Sequence, residues 1–223
     1  MAGPPPELPR QRVGTTPQMR GRYPDYDVLA SREHWDPLTR RVVLERVARV
    51  PEISFFNAGE ARTLGAFCDI VLDQDAEPRV PVLAMVDAKL AAGKLDGYRY
   101  EDMPPDPETW RAVAANLDTS ARERGSQGGF AEASGEVQRE IVERFAKGEL
   151  DWTPSVERSW TVVMRMAVSE FYSHPWAWNE IGFGGPAYPR GFARLGAGQR
   201  EHWESPPEFS VDPVSDVRAR GLE

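Results

Sequence analysis

A single cysteine, Cys68, stands in 223 residues, so no disulfide can form within the chain. It lies between Phe67 and Val71 on an apolar helical face, where a free thiol behaves as a small buried hydrophobe, and no nearby base suggests a catalytic one. Cysteine usage therefore leaves the compartment open. Histidine is almost as scarce. His34, His174 and His202 show no HxxxH or HExxH spacing, which argues against a zinc site. No G-x-S-x-G elbow presents a nucleophile. The Gly-rich FGGPAYPRG follows a helical pattern rather than a strand and carries no G-x-G-x-x-G or Walker lysine, so it does not read as a phosphate cradle. No run approaches the roughly 20 apolar residues of a membrane span. A net charge of −8 argues against nucleic acid as partner, because phosphate binding wants a basic face. The sign is uneven, with +3 over residues 1–50 and −11 over the remainder.

Residues 1–52 read as an extended or disordered basic arm. They open MAGPPPELPR and show no apolar periodicity before Val42, so burial cannot offset their ordering entropy. Within them TRRVVLERVARV has the paired arginines of a twin-arginine export signal, but Glu45, Arg46 and Arg49 interrupt the apolar run such a signal needs. The expectation is a cytoplasmic chain, or one exported only with a signal-bearing partner.

From Phe55 the pattern is helical. Asn57 and Glu60 make a capping box, and Leu64, Phe67, Cys68, Val71 and Leu72 recur at three and four. Asp73, Asp75 and Glu77 resemble the start of a calcium loop but fail its template, with Pro78 at the glycine position and Ala84 at the bidentate one. Pro81 opens a helix carrying Val82, Met85, Val86 and Leu90 on one face. Asp106, Pro107 and Glu108 start another, with Trp110, Val113, Ala114 and Leu117 inward. Ser134 caps a helix bearing Val137, Ile141 and Phe145 at spacing four, with Glu140 and Arg144 paired outside. A last long helix, about 154–173, turns Trp160, Val163, Met164, Ala167, Val168 and Phe171 inward. The expected fold is all-α, an irregular bundle of about five helices over residues 53–204, followed by a C-terminal tail from 205 to 223.

The stretch FYSHPWAWNEIGFGGPAYPRGFARL is the point on which the chain converges. Its prolines lack amide donors and its glycines bring backbone freedom, so it reads as a shaped loop. Two readings stand for Trp176 and Trp178: plugs at the end of the helical core, or a docking surface for another protein. His174, Asn179 and Glu180 form the one polar cluster, which either caps the preceding helix and satisfies loop amides or serves a small enzyme.

HPWAWNEIGFGGPAYPRG resembles the C-terminal signature of the gluconate 2-dehydrogenase subunit 3 family. The helix FFNAGEARTLGAFCDIVL, the segment VPVLAMVDAKL, then GYRYEDMPP and SEFYSHP follow the family's order, and the likeness runs over roughly residues 55–204. The resemblance implies a non-catalytic small subunit or maturation chaperone of a large flavin dehydrogenase of the glucose-methanol-choline type, often with a cytochrome c subunit. It implies FAD in the partner and no cofactor or metal in this chain. The substrate oxidised by the complex would be a sugar, sugar acid or polyol. Many members begin with a twin-arginine signal, a pattern from which this sequence departs. The expected partner-binding residues are His174, Trp176, Trp178, Asn179, Glu180, Phe183, Tyr188 and Arg190. The rival readings are the small enzyme above and a scaffold without a redox role.

Overall fold

A computed structural model describes residues 26–75, 77–95, 97–194, 199, 201, 203 and 204. Seven α-helices and two short 3-10 turns carry the described residues, with no strand among them. The helices are α1 (Pro37–Ala48), α2 (Ala58–Val71), α3 (Val82–Ala91), α4 (Asp106–Glu123), α5 (Gly135–Ala146), α6 (Val156–Ser173) and α7 (Pro175–Ile181). The expected all-α bundle is therefore present. None of these helices is long and apolar enough to cross a membrane.

Helix starts follow local chemistry. The Asn57 side chain accepts from Gly59 N and Glu60 N while Glu60 Oε2 accepts from Asn57 N, closing the expected capping box of α2. Ser134 accepts from Val137 N at the head of α5. Asp106 differs from expectation: it is the first residue of α4, follows Pro105, and makes no side-chain cap. It is buried instead, with its Oδ2 3.7 Å from Arg165 Nη2 of α6.

The central helix is α6, packed against α3, α4, α5 and α7. Its buried face is Val162, Val163, Met166, Ala167 and Phe171. Trp160 stands edge-on to Phe67 of α2 and Phe145 of α5, with ring centroids 6.3 and 5.0 Å away. Full burial of Val162, Val163, Met166 and Phe171 contributes about 1.5–3 kcal/mol each before entropy is counted, whereas Trp160 is only partly buried. Val168, expected inside, is 36% exposed. Helix α6 is already covered on its α3, α4 and α5 sides, and the 3.6-residue period carries Val168 past that covered arc.

Two carboxylates, one buried and one half-buried, organise turns that the apolar pattern alone did not reveal. Asp87 of α3 is fully buried and accepts from the amides of Ser54, Phe55 and Phe56, fixing the entry into α2. Asp118 of α4 accepts from Thr63 Oγ1 and Phe130 N, drawing α2 and the 3-10 turn Phe130–Glu132 onto α4.

The extended or disordered arm expected over residues 1–52 is corrected from residue 26 onward; residues 1–25 lie outside the described part. Asp27 caps a 3-10 turn, Val28–His34, and Asp36 with Pro37 starts α1. Val28, Leu29, Trp35, Val43, Leu44 and Val47 are all buried in the main core. Their spacing is too sparse to show as one long periodic face, but α1 needs only a narrow stripe because it packs chiefly on α7. The residues of the C-terminal tail expected from 205 to 223 lie outside the described part.

Candidate functional site: the α7 platform and its loop

The stretch expected to be an irregular loop begins with a helix. Pro175 sits in the first turn of α7, where a missing amide hydrogen costs nothing, and Gly182 closes the helix in the left-handed conformation at φ 65°, ψ 24°. Phe183 N then donates to Trp178 O across the turn at 2.9 Å. The prolines and glycines that argued against a helix lie at its two ends, where they favour one.

His174 is the corner between α6 and α7, the last cap of one and the first of the other. Its Nδ1 accepts from Trp176 N at 3.2 Å, so the hydrogen is on Nε2, which donates to Arg46 O at 3.1 Å. Arg46 Nη1 returns a bond to Ser173 O at 2.7 Å. This reciprocal pair ties α1 to the corner. Asn179 is buried and its Oδ1 accepts from Val28 N at 2.8 Å, which ties the 3-10 turn to α7. Trp176 packs edge-on to His174 with centroids 4.8 Å apart, and Trp178 Nε1 donates to Tyr172 O at 2.7 Å.

The eight residues expected to bind a partner therefore divide. His174, Trp176, Trp178, Asn179 and Glu180 are buried, and the core-plug reading holds for both tryptophans. Their side chains build the platform and are not presented at its surface. The reading of His174, Asn179 and Glu180 as a catalytic cluster meets the same obstacle, since both ring nitrogens of a fully buried His174 are bonded to main chain. The buried Glu180 is close enough to Tyr172 for its charge to raise that phenol's pKa, adding to the larger effect of burial. Phe183 and Tyr188, by contrast, are exposed, Tyr188 by 69%.

The surface of the platform holds residues that the sequence reading did not single out. Phe192 is 50% exposed, and Tyr172 near the end of α6 and Ile181 at the end of α7 are exposed as well. Phe183 stands edge-on to the hidden Trp178 with centroids 5.6 Å apart, so an exposed ring is mounted on a buried one. No period exists in an irregular segment to separate inward from outward rings. The available signal was the contrast between HPWAWNE, which has helix-terminal punctuation, and the Gly/Pro-interrupted FGGPAYPRGF.

Arg190, half-buried, holds the loop from inside. Its Nη2 donates to Gly184 O at 3.2 Å and Pro186 O at 2.8 Å, and its guanidinium lies 4.0 Å from the centroid of the Trp203 ring. Burial lowers the Arg190 pKa, with Tyr26 acting in the opposite direction. Gly184 is required here, since a Cβ would stand 2.4 Å from Trp203 Cζ3. Gly185, at φ +74°, brings the backbone against Val28 and Trp35. Tyr26 Oη donates to Trp203 O at 3.3 Å, so segments from both ends of the described chain meet on the loop.

Among the described residues no group of three or more His, Cys, Asp or Glu side chains could hold a metal ion. What the site offers is a rigid apolar mount with aromatic rings projecting from it. A family model described as Gluconate 2-dehydrogenase subunit 3 matches residues 58–185, more than half of the chain. No curated protein and no solved structure matches.

Proposed function

Because the chain belongs to the gluconate 2-dehydrogenase subunit 3 family, we propose that it is the accessory subunit of a dehydrogenase complex whose large subunit is a flavoprotein of the glucose-methanol-choline type. In this reading the large subunit carries FAD and oxidises a sugar, sugar acid or polyol, with a cytochrome c subunit as a further member. This chain supplies no catalytic group. It supports the folding, stability or export of its partner, and it binds through Phe183, Tyr188 and Phe192 rather than through the buried Trp176 and Trp178. The observation that carries the binding mode is the exposure of those three rings, at 44%, 69% and 50%, on a loop that Arg190 ties together through Gly184 O and Pro186 O. Aromatic anchors held in place before binding lose little conformational entropy on docking. Cytoplasmic residence is supported by the use of Arg40 and Arg41 in a folded core helix, and export as cargo of a signal-bearing partner is the second route.

The test is purification of the tagged full chain from its native host. A yellow co-eluting protein with flavin absorbance is expected. Repeated recovery of the chain without any flavoprotein, under conditions that preserve other complexes, would refute the assignment.

A further inference from the structure

The Arg190 guanidinium has two donors that no described residue meets. Its Nε and Nη1 atoms are buried and have no hydrogen-bond acceptor, although Nη2 is fully engaged by two carbonyls. A cationic group deprived of both water and acceptors destabilises whatever arrangement encloses it. Part of that enclosure is Trp203, stacked on the guanidinium and fitted against Gly184 with no room for a methyl group between them. Among the described residues Trp203 is further held by a bond from Tyr26 Oη at 3.3 Å to its carbonyl and a tilted contact with Phe192 at 5.1 Å. The carboxylate of Glu201 accepts from the amides of Ala193 and Arg194.

We propose that Trp203 is a displaceable cover over Arg190, and that the large subunit lifts it by supplying a carboxylate to the unmet guanidinium donors. This rests on the accessory-subunit reading above. A carboxylate is an acceptor-only anion and forms charge-assisted hydrogen bonds with guanidinium. From a protein partner it comes from Asp, Glu or a chain terminus. Lifting the cover also frees Phe192, already half-exposed, to join Phe183 and Tyr188 as a contact. The closed form thus keeps an apolar surface partly covered until the partner arrives, and the ligand's differential affinity for the open form drives the change.

Two measurements on the full chain decide the matter. In the first, phenylglyoxal labels arginines and mass spectrometry reads the rate at each. Arg190 should label far more slowly than the exposed Arg41 in the native chain and approach its rate in Trp203→Ala. Unchanged protection of Arg190 in a folded Trp203→Ala chain overturns the cover. Trp203→Leu, which keeps apolar bulk without the stack, serves the same comparison if the alanine variant unfolds. Unfolding of both shows Trp203 to be a permanent core residue. In the second, affinity is measured for the flavoprotein that co-elutes with the native chain. Removing a competing cover should tighten binding by Trp203→Ala about 10-fold, and loss of a charge-assisted bond in Arg190→Gln should weaken it by about 10-fold or more. Weaker binding by Trp203→Ala, or unaltered binding by Arg190→Gln, overturns the proposal. A native chain that captures no flavoprotein removes both the accessory-subunit reading and the carboxylate assignment, while the labelling result still judges the cover.

Discussion

Replacing Trp178 by alanine and, separately, Tyr188 by alanine should give opposite results. Both are large aromatics in one short stretch, but the first is 7% exposed and the second 69%. Trp178→Ala removes a buried indole, for which cavity formation costs about 3–5 kcal/mol. It also removes the Nε1 bond to Tyr172 O, worth about 1 kcal/mol, and the edge-on contact with Phe183, worth about 0.5–1.5 kcal/mol. These overlap with the cavity term, so the total is taken as about 4 kcal/mol. For a chain of this length about 1 kcal/mol shifts the melting temperature by about 2–4 °C, which places the expected fall near 8–16 °C. Tyr188→Ala should leave stability within about 0.5 kcal/mol, as surface changes do. Its effect should appear in partner affinity, at about 2 kcal/mol or a roughly 30-fold rise in Kd, if it anchors the interface. Melts followed by circular dichroism, with titration of the co-eluting flavoprotein on the same samples, measure both. A melting temperature for Trp178→Ala within about 2 °C of the native value, less than a 1 kcal/mol loss, would refute the assignment of this ring to the core. A large stability loss for Tyr188→Ala would refute its assignment to the surface.

Cys68 is buried and its pKa is pushed up by burial first and by the Asp69 charge second, so the native thiol should resist Ellman's reagent at neutral pH. Immediate stoichiometric labelling without denaturant would show that the α2 core is open. Tyr26 has its phenol pushed up from 10 to about 12, chiefly by burial. The folded state holds that proton more tightly, so this contribution is full below about pH 10 and is lost as pH rises toward about 12. Denaturant melts across that window should lose less stability in Tyr26→Phe than in the native chain, and equal losses would contradict the burial of Tyr26. Asp87→Ala leaves three backbone amides of residues 54–56 without their acceptor, so a loss of about 3 kcal/mol or more is expected in urea melts. A loss under about 1 kcal/mol would show that solvent replaces the carboxylate, as for an exposed hydrogen bond.

Much of the helical bundle could be read residue by residue because its signals are local. The Asn57–Glu60 box, the Ser134 cap and the inward positions Leu64, Phe67, Trp110, Leu117, Ile141 and Phe145 each depend on a few neighbours in sequence or on the 3.6-residue period. The order of motifs in HPWAWNEIGFGGPAYPRG likewise carried the family. Tertiary structure decided what has no local signature. A helix of seven residues such as α7 does not persist alone, because nucleation costs more than so few hydrogen bonds return. It exists because His174 and Asn179 bond to Arg46 and Val28, more than 120 positions away. Distant contacts likewise turned the sparse apolar residues of 28–47 into core, and the packing of α3, α4 and α5 on α6 left Val168 outside. They also sorted the aromatic stretch, sending Trp176 and Trp178 inward and leaving Phe183 and Tyr188 exposed. Side chains of one chemical type were divided by which surface reached them first, and that depends on how separate helices meet rather than on any residue's own preference.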